Sequence, residues 1–349
     1  MNMVDKKKSF NAGEYTRVWR PANNSDSLLI QEAKKLGIEC KALKHPRVFR
    51  FQYKKQVKYF IGRIPSSTTV FASFCCKNKN ITNELLLDNK ISVNKSFLIN
   101  ENDSKKYQSQ LYSSLKKPLV LKPSDSSLGN NVILNISNKK DYDASIKNIF
   151  NKYSNQKVAI LVEEMFQGEE YRILVTRKKI LSVIHRLPAN VVGDGESSIR
   201  KLIEEKNKNV IRKKIDTYKC IQVGAELKKY LSAQELSIVS VPKKEERIFL
   251  HPPTPSDMEL GGDTIDITDS IHPSVKKIML KVMQSIPGLE LGGVDYMSKD
   301  IFSQQTPGLY RIIEINTSPD FSWNEFPLEG KRRNVSFEIL KIMFPGLKK

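Results

Sequence analysis

Short apolar stretches alternate with amphipathic stretches along the whole chain, and this alternation limits the folds it can adopt. Apolar residues at helical spacing predict helices over residues 27–36, 82–87, 197–207, 275–285 and 335–343. Short apolar runs between Gly, Asn, Asp and Ser residues predict strands over residues 38–43, 119–122, 132–136, 158–163, 171–175, 180–185, 291–297 and 309–315. Strands that alternate with helices predict a mixed α/β protein.

The length of 349 residues is enough for a large core and two or three subdomains. No run approaches the roughly 20 consecutive apolar residues that a membrane helix needs. The basic start of the chain is not followed by the apolar run of a signal peptide. We therefore expect a cytoplasmic protein without a membrane partner. Its four cysteines lack the spacing of a metal site, so we expect reduced, structural thiols.

The chain carries a formal net charge of +20, which suggests nucleic acid as a possible binding partner. However, the lysines are scattered along the sequence, and no recognised nucleic-acid motif accompanies them. A specific nucleic-acid role is therefore not favoured, although binding to nucleic acid or an acidic polymer stays an alternative. The charge is better explained as a positive field that attracts anionic small molecules.

Three oxygen-bearing side chains lie in or at the ends of the last two predicted strands. Glu314 and Asn316 are two residues apart and should share a strand face, and Asp295 ends the preceding strand. Magnesium prefers oxygen ligands and is often held by one or two carboxylates plus substrate phosphates. The pattern indicates a magnesium site, and its alternative is a polar strand face that contacts solvent.

A lysine and a polar loop follow the strand predicted over residues 119–122. Lys122 lies at the strand end, and residues 124–131 are rich in Ser and Asn, with Gly129 as their one glycine. A lysine beside backbone N–H groups can bind phosphate, although the loop lacks the GK[ST] ending of a Walker A motif. Its alternative is a plain turn.

The segment from Leu161 to Arg172 contains four glutamates between apolar residues. Glutamates on a turn are usually only solvated, but an arginine inside a strand is harder to explain by solvation. Arg172 therefore indicates a role in stabilising the charge of a phosphoryl group during transfer.

In this order, the pieces resemble the ATP-grasp superfamily over nearly the whole chain. The segments that carry the resemblance are HRLPANVVGDGESSIRKLIEEKN (185–207), LGGDTIDITDSIHP (260–273) and EINTSPDFSWNEFPLEGKRRNV (314–335). They are most similar to the ATP-grasp domains of cyanophycin synthetases and bifunctional glutathione synthetases. The resemblance implies a fold in which ATP lies between two antiparallel sheets, preceded by an N-terminal α/β domain. It also implies a division into residues 1–78, 79–165 (the central lid subdomain) and 166–349.

The resemblance also implies roles for single residues. Lys79 and Lys122 would contact ATP, and residues 124–131, including Ser127, would cover its phosphates. Glu163 and Glu164 would line the adenine, and Glu170 would hold the ribose hydroxyls. Asp295, Glu314 and Asn316 match magnesium ligands. Arg172 and Arg186 match catalytic or substrate-contacting arginines.

These roles imply an ATP-dependent carboxylate–amine ligase that forms an amide or peptide bond through an acyl phosphate. Its cofactors would be ATP and Mg²⁺, which Mn²⁺ could replace, and its substrates a carboxylate and an amine from amino acids or short peptides. The sequence also allows a homodimer.

One segment departs from the pattern of the family. Relatives often carry an arginine before the glycine pair, whereas residues 251–259 here contain Asp257 and Glu259. Extra negative charge beside a triphosphate is unfavourable unless a cation offsets it. An ATP-grasp protein that binds nucleotide without ligase turnover is therefore a second alternative.

Overall fold

The computed structural model describes residues 24–45, 47–124, 131–154, 158–253 and 257–348. Its helices are α1 (Asn24–Lys35), α2 (Val70–Lys77), α3 (Lys79–Asp88), α4 (Lys105–Ser114), α5 (Lys139–Lys152), α6 (Ile199–Asn207), α7 (Val210–Lys214), α8 (Ala225–Ser232), α9 (Pro273–Ser285), α10 (Ser322–Glu325) and α11 (Val335–Met343), with a 3₁₀ turn over Asp257–Leu260. Its strands are β1 (Glu39–Ala42), β2 (Val48–Tyr53), β3 (Gln56–Ile61), β4 (Ile64–Pro65), β5 (Ser96–Ile99), β6 (Leu119–Pro123), β7 (Ile133–Ile136), β8 (Ile160–Glu164), β9 (Glu169–Thr176), β10 (Ile180–Leu187), β11 (Asn190–Val192), β12 (Arg247–Phe249), β13 (Asp263–Asp266), β14 (Leu291–Ser298) and β15 (Tyr310–Asn316). The predicted mixed α/β class is confirmed.

The central sheet has five antiparallel strands in the order β13–β10–β9–β14–β15. Buried residues on one face, such as Ile173, Val294 and Ile312, form a core with helices α2, α3 and α9. Side chains alternate between the two faces of a strand, so the polar residues between these apolar ones face the other way.

Helix α9 shows how the sequence fixes one of these helices against the sheet. His272 caps its N-terminus by accepting a hydrogen bond from the Ser274 N–H, and Pro273 occupies the first helical position. Val275, Met279 and Val282 follow at helical spacing, and all three are fully buried. The apolar stripe therefore covers one face of the central sheet.

A second antiparallel sheet has four strands in the order β5–β8–β6–β7. Helices α4 and α5 pack on it through Leu111, Tyr142 and Ile146, and the resulting core is separate from that of the central sheet. The two sheets match the pair of antiparallel sheets that the resemblance implied.

The N-terminal sheet runs in the order β1–β2–β3–β4. Its Phe49, Phe51 and Phe60 pack with α1 and α11 and with Leu174 and Leu291 of the central sheet. The N-terminal sheet thus shares a core with one end of the central sheet. A smaller core joins the β11–β12 pair to helices α6 and α8.

Every predicted helix and strand is present, and no predicted end differs by more than three residues from the observed one. The prediction missed β2 to β5, β11 to β13 and helices such as α4 and α5. Strand β3 was missed because five of its six residues are exposed, which leaves little apolar pattern.

The domain boundaries at residues 78 and 165 stay predictions. Helix α3, at the start of the predicted lid, packs in the core of the central sheet through Leu86. The core of the four-stranded sheet begins at Ile99. In the described part of the chain, no helix has the length and apolarity needed to cross a lipid bilayer.

Candidate active site

The predicted magnesium ligands and both predicted arginines come together on the polar face of the central sheet. In the strand register, Asp295 of β14 lies opposite Arg172 of β9 on one side and Glu314 of β15 on the other. Arg186 lies on β10, two residues beyond the residue that pairs with Arg172, and so has the same orientation. Neighbouring antiparallel strands therefore place all four side chains next to one another.

The two arginines share one carboxylate. Arg172 Nε and Arg186 Nη2 each lie 3.1 Å from Asp295 Oδ1, and Arg186 also forms an ion pair with Glu170. The side chains of Arg172, Arg186 and Asp295 are each only 13–14% exposed. The interaction between these charges is thus stronger than that of a surface ion pair.

Asn316 connects the arginine side of the cluster to Glu314. With its amide nitrogen towards Glu314, Asn316 donates to Glu314 Oε1 at 3.3 Å and its oxygen accepts from Arg172 Nη1 at 2.9 Å. Lys79, the first residue of α3, places its Nζ 3.8 Å from Glu314 Oε2. Lys79, which is far in sequence from Glu314 and Asn316, thus belongs to the same cluster.

A glycine lets the loop after β15 approach this cluster. A Cβ atom on Gly293 would lie 2.7 Å from Pro319 Cβ and 3.2 Å from Arg172 Nη1. Arg172 Nη1 also donates to the Gly293 carbonyl at 3.2 Å. Only glycine fits here, and its carbonyl helps to orient the guanidinium group.

Asp295, Glu314 and Asn316 bring together oxygen atoms of the kind that a divalent metal ion takes as ligands. Asp295 and Glu314 are paired on the adjacent strands β14 and β15, and the Asn316 side chain contacts Glu314. Within the described ranges, no group of three or more His, Cys, Asp or Glu side chains is placed to hold a metal by itself. Two carboxylates and an amide oxygen leave several positions of an octahedral ion for phosphate and water.

Of the other predicted ATP contacts, Glu170 lies on β9 of the central sheet, whereas Lys122, Glu163 and Glu164 lie on the four-stranded sheet. Lys122 Nζ of β6 is 2.7 Å from Glu163 Oε2 of β8, and these side chains are 7% and 5% exposed. Asn94 Nδ2 lies 3.5 Å from the same Glu163 oxygen. Glu164, next along β8, instead accepts from the Lys116 backbone N–H at 3.1 Å. Lys122 and Glu163 are thus paired with each other, whereas Glu164 holds the chain before β6.

Two predicted parts of the site are only partly covered by the structure. Ser127 and the rest of residues 125–130 lie outside the described residues. In the altered segment 251–259, Glu259 is exposed and His251 Nε2 accepts from the Ala189 backbone N–H at 3.3 Å. His251 therefore helps to fix the start of β11.

The sequence analysis missed a buried charge network beside Arg186. Asp263 of β13 accepts from Arg212 Nη2 at 2.6 Å and also pairs with Lys206, and both carboxylate and guanidinium are at most 1% exposed. Burial lowers the pKa of Lys206, and the Asp263 carboxylate partly opposes that shift. Because β13 pairs with β10 next to Arg186, this network supports the strand that carries the arginine. The sequence pointed to this network only through Lys206 in the predicted helix 197–207 and Asp263 after a glycine pair.

A second missed feature joins the N-terminal sheet to the loop after Asn316. Arg63 Nη1 contacts Asp320 Oδ2 at 3.1 Å, the Ser318 hydroxyl donates to the Gly62 carbonyl, and Ser25 Oγ accepts from the Phe321 N–H at 2.9 Å. The N-terminal domain thereby holds the loop that packs against Gly293 and Arg172.

Comparison with known proteins agrees with this geometry. Residues 76–205 match the RimK-like ATP-grasp domain. The chain is 33% identical over 333 residues to the glutathione biosynthesis bifunctional protein of Clostridium perfringens, with 92% of this chain and 41% of the relative covered. It is 30% identical over 244 residues to the cyanophycin synthetase of a Synechocystis species, with 66% and 26% covered.

A solved structure gives the same result. The bifunctional glutathione synthetase of Pasteurella multocida superposes with a TM-score of 0.74 at 26% identity, and the match covers 93% of this chain and 44% of that one. The chain thus spans less than half the length of these relatives. The matched domain, the two antiparallel sheets and the extended similarity lead to one conclusion: the chain belongs to the ATP-grasp superfamily.

Proposed function

We propose that the chain is an ATP-dependent carboxylate–amine ligase that forms an amide or peptide bond through an acyl phosphate. The observation that carries the proposal is the shared Asp295 carboxylate, which two arginines contact beside Glu314 and Asn316. Such a cluster places cations and oxygen ligands where a phosphoryl group can be transferred. The names of the relatives, in glutathione biosynthesis and cyanophycin synthesis, favour amino acids or short peptides as substrates.

Asp295, Glu314 and Asn316 would hold Mg²⁺, which Mn²⁺ could replace. When bound, the ion neutralises negative charge on the phosphates of ATP. Lys79 would orient the phosphates from the helix terminus beside Glu314. Lys122 would do so from the four-stranded sheet, where Glu163 fixes its position. Glu164 would line the adenine and Glu170 the ribose, as the resemblance implies.

The first chemical step joins the substrate carboxylate to the γ-phosphate. A carboxylate oxygen attacks the γ-phosphorus, the bond to the β–γ bridging oxygen breaks, and ADP leaves. Arg172 and Arg186 would lie beside the phosphoryl group and stabilise its charge. Their shared contact with Asp295 keeps both guanidinium groups oriented before substrate arrives.

In the second step the amine attacks the acyl carbon, the bond to phosphate breaks, and the nitrogen loses a proton to give the amide. The tetrahedral oxyanion would be stabilised by Arg172 or Arg186. The products are then the amide, ADP and phosphate. The role of Ser127, the homodimer and the cytoplasmic location stay predictions.

The test is ADP release from the purified chain with pairs of amino acids and dipeptides. We expect release only when both a carboxylate and an amine are present, together with a product of the combined mass less one water. A carboxylate labelled with ¹⁸O should transfer one label to phosphate, because its oxygen bonds to the γ-phosphorus. Release of AMP and pyrophosphate, or unlabelled phosphate alongside amide formation, would contradict the mechanism.

The same assay separates the two alternatives. A nucleotide-binding protein without turnover would bind ATP but release no ADP with any pair. A nucleic-acid-binding protein would bind oligonucleotides without ATP, and salt would weaken that binding steeply.

A further inference from the structure

A cavity of about 630 Å³ lies beside the β10–β13 strand pair, away from every candidate residue of the active site. Four parts of the chain form it: the turn that leads into β10, residues 268–269 after β13, helix α9, and the segment from residue 331 into α11. Its volume falls in the range of pockets that bind small molecules.

Six cationic side chains line this cavity: Lys178, Lys179, Lys276, Lys331, Arg332 and Arg333. Only two carboxylates line it, those of Asp269 and Glu338, which leaves a net charge of +4 among the lining residues. The clustered cations repel one another, and a bound anion would reduce this repulsion. The cavity therefore favours an anionic ligand.

Some of these cations are already paired. Arg333 contacts both oxygens of Asp266, at 2.7 and 2.8 Å, and Asp269 at 2.9 Å. Lys179 lies 2.7 Å from Glu338, and Lys331 lies 3.5 Å from Asp269. These ion pairs fix the walls of the cavity.

The remaining cations are available to a ligand. Lys178 and Lys276 form no ion pair within the described ranges, and both are exposed. They come from a turn and a helix that are about 100 residues apart in sequence and meet at the cavity. The Arg332 guanidinium lies over the Phe326 ring at 5.2 Å, which leaves its hydrogen-bond donors unused by that contact.

The charge and the lining indicate what the cavity would bind. The Asp266 carboxylate that pairs with Arg333 reduces the net charge at the cavity from +4 to +3. A phosphate group carries about −1.5 to −2 at neutral pH, so two phosphate groups would offset this charge. Lysine ammonium groups are compact donors that suit phosphate oxygens. Leu181, Leu280 and Val335 add an apolar part to the lining, which suits an organic body beside the phosphates.

We propose that this cavity binds a small phosphorylated molecule with at least two phosphate groups, separately from ATP at the candidate active site. The inference does not depend on the proposed ligase activity. Free diphosphate and a nucleoside diphosphate share the required chemistry and serve as the two probes.

The experiment is calorimetric titration of the full chain with pyrophosphate and with ADP, in about 0.15 M salt to screen the general positive field. The variant is Lys178→Gln/Lys276→Gln. Its control is Lys277→Gln, which changes the neighbouring exposed lysine on α9 that does not line the cavity. Lys79→Ala reports on the candidate ATP site.

We expect pyrophosphate to bind the wild type, the Lys277→Gln control and Lys79→Ala with the same affinity within about twofold. The cavity variant should bind at least about tenfold more weakly, because two charge-assisted contacts are lost. If the cavity variant also binds ADP at least about tenfold more weakly, tighter binding of ADP than of pyrophosphate would identify a nucleotide as the ligand. Equal binding of the two would identify the diphosphate group alone.

Three results would overturn the proposal. Equal weakening in the Lys277→Gln control would show only a diffuse positive field. Loss of binding in Lys79→Ala but not in the cavity variant would place the anion at the active site. Binding of a single-stranded oligonucleotide, with no binding of either small probe, would assign the surface to nucleic acid.

Discussion

The two antiparallel sheets both carry charged side chains among apolar neighbours, but they neutralise them differently. On the four-stranded sheet, Lys122 and Glu163 form a one-to-one pair, 2.7 Å apart and almost fully buried. On the central sheet, Asp295 is shared by Arg172 and Arg186, and Glu314 is 28% exposed. In the closed pair, each charge is neutralised by a single opposite charge. In the shared cluster, each charge has more than one partner, so these contacts can rearrange when a triphosphate binds. We therefore expect substitutions in the pair to reduce stability in addition to any effect of Lys122 on ATP binding, and those in the cluster to reduce turnover.

The largest expected effect comes from opening the closed pair. Lys122→Met leaves the Glu163 carboxylate buried without its cation, which should cost about 3–5 kcal/mol of the free energy of unfolding. Denaturant unfolding measures this loss. The double variant Lys122→Met/Glu163→Leu should recover most of it, since no uncompensated charge remains. A single variant as stable as the wild type would show that the pair is not buried as described.

A buried carboxylate with no hydrogen bond among the described residues extends the comparison. Asp26 is 1% exposed, its oxygens have no hydrogen-bond partner among the described residues, and burial raises its pKa from 3.8 to about 6. The folded state thus binds this proton more tightly than the unfolded state, so the stabilising contribution of protonation is lost as pH rises from about 4 to 6.

Asp26→Asn should remove this pH dependence. The variant should gain up to about 3 kcal/mol over the wild type at pH 7 and little at pH 3.5. The free energy of unfolding as a function of pH measures the difference, and Asp88→Asn, at an exposed position, is the matched control. A constant offset between the two proteins across this range would mean that Asp26 does not titrate as its burial implies.

Within the shared cluster, Arg172→Lys keeps the charge but loses the planar fork that reaches both Asp295 and the Gly293 carbonyl. Turnover should fall about ten- to a hundredfold while ATP affinity changes little. Arg200→Lys, on the exposed surface of α6, should leave both unchanged. Poorer ATP binding with normal turnover would show that Arg172 does not stabilise the transition state.

The smallest effect is expected on the apolar side of the same strand. Ile315 is 1% exposed and packs in the core of the central sheet. Ile315→Val should cost about 0.5–1.5 kcal/mol of stability by removing one methylene group and should leave turnover nearly unchanged. A large loss of activity would show that the apolar face of β15 also contributes to activity, as the polar face is proposed to do.

Regular patterns made most of the fold predictable. The apolar stripe of α9, with Pro273 at its start, and the apolar run of β6 identify their elements without tertiary information. The period of two along β15 placed Glu314 and Asn316 together, as the structure shows. Elements with a weak pattern, such as the exposed strand β3, were missed because tertiary packing determines them.

Contacts between distant segments could not be predicted in the same way. Arg212 and Asp263 are far apart in sequence and meet only because α7 lies against the start of β13. The Arg63–Asp320 contact joins residues 257 positions apart. The local periodicity of the sequence does not identify such pairs, so predicting them requires knowledge of the fold. The resemblance supplied single-residue roles, and these stay predictions until variants are measured.

The most direct test of the account is ADP release as a function of magnesium concentration for wild type, Glu314→Gln and the Ile315→Val control. Glu314→Gln keeps the size of the side chain but removes one negative charge, and with it a proposed metal ligand, beside Asp295 and Asn316. We expect activity to fall by orders of magnitude at low magnesium and to recover partly at high magnesium, because mass action offsets weaker binding. The Ile315→Val control should follow the wild-type curve. Full activity of Glu314→Gln at low magnesium would show that these residues are only a polar strand face.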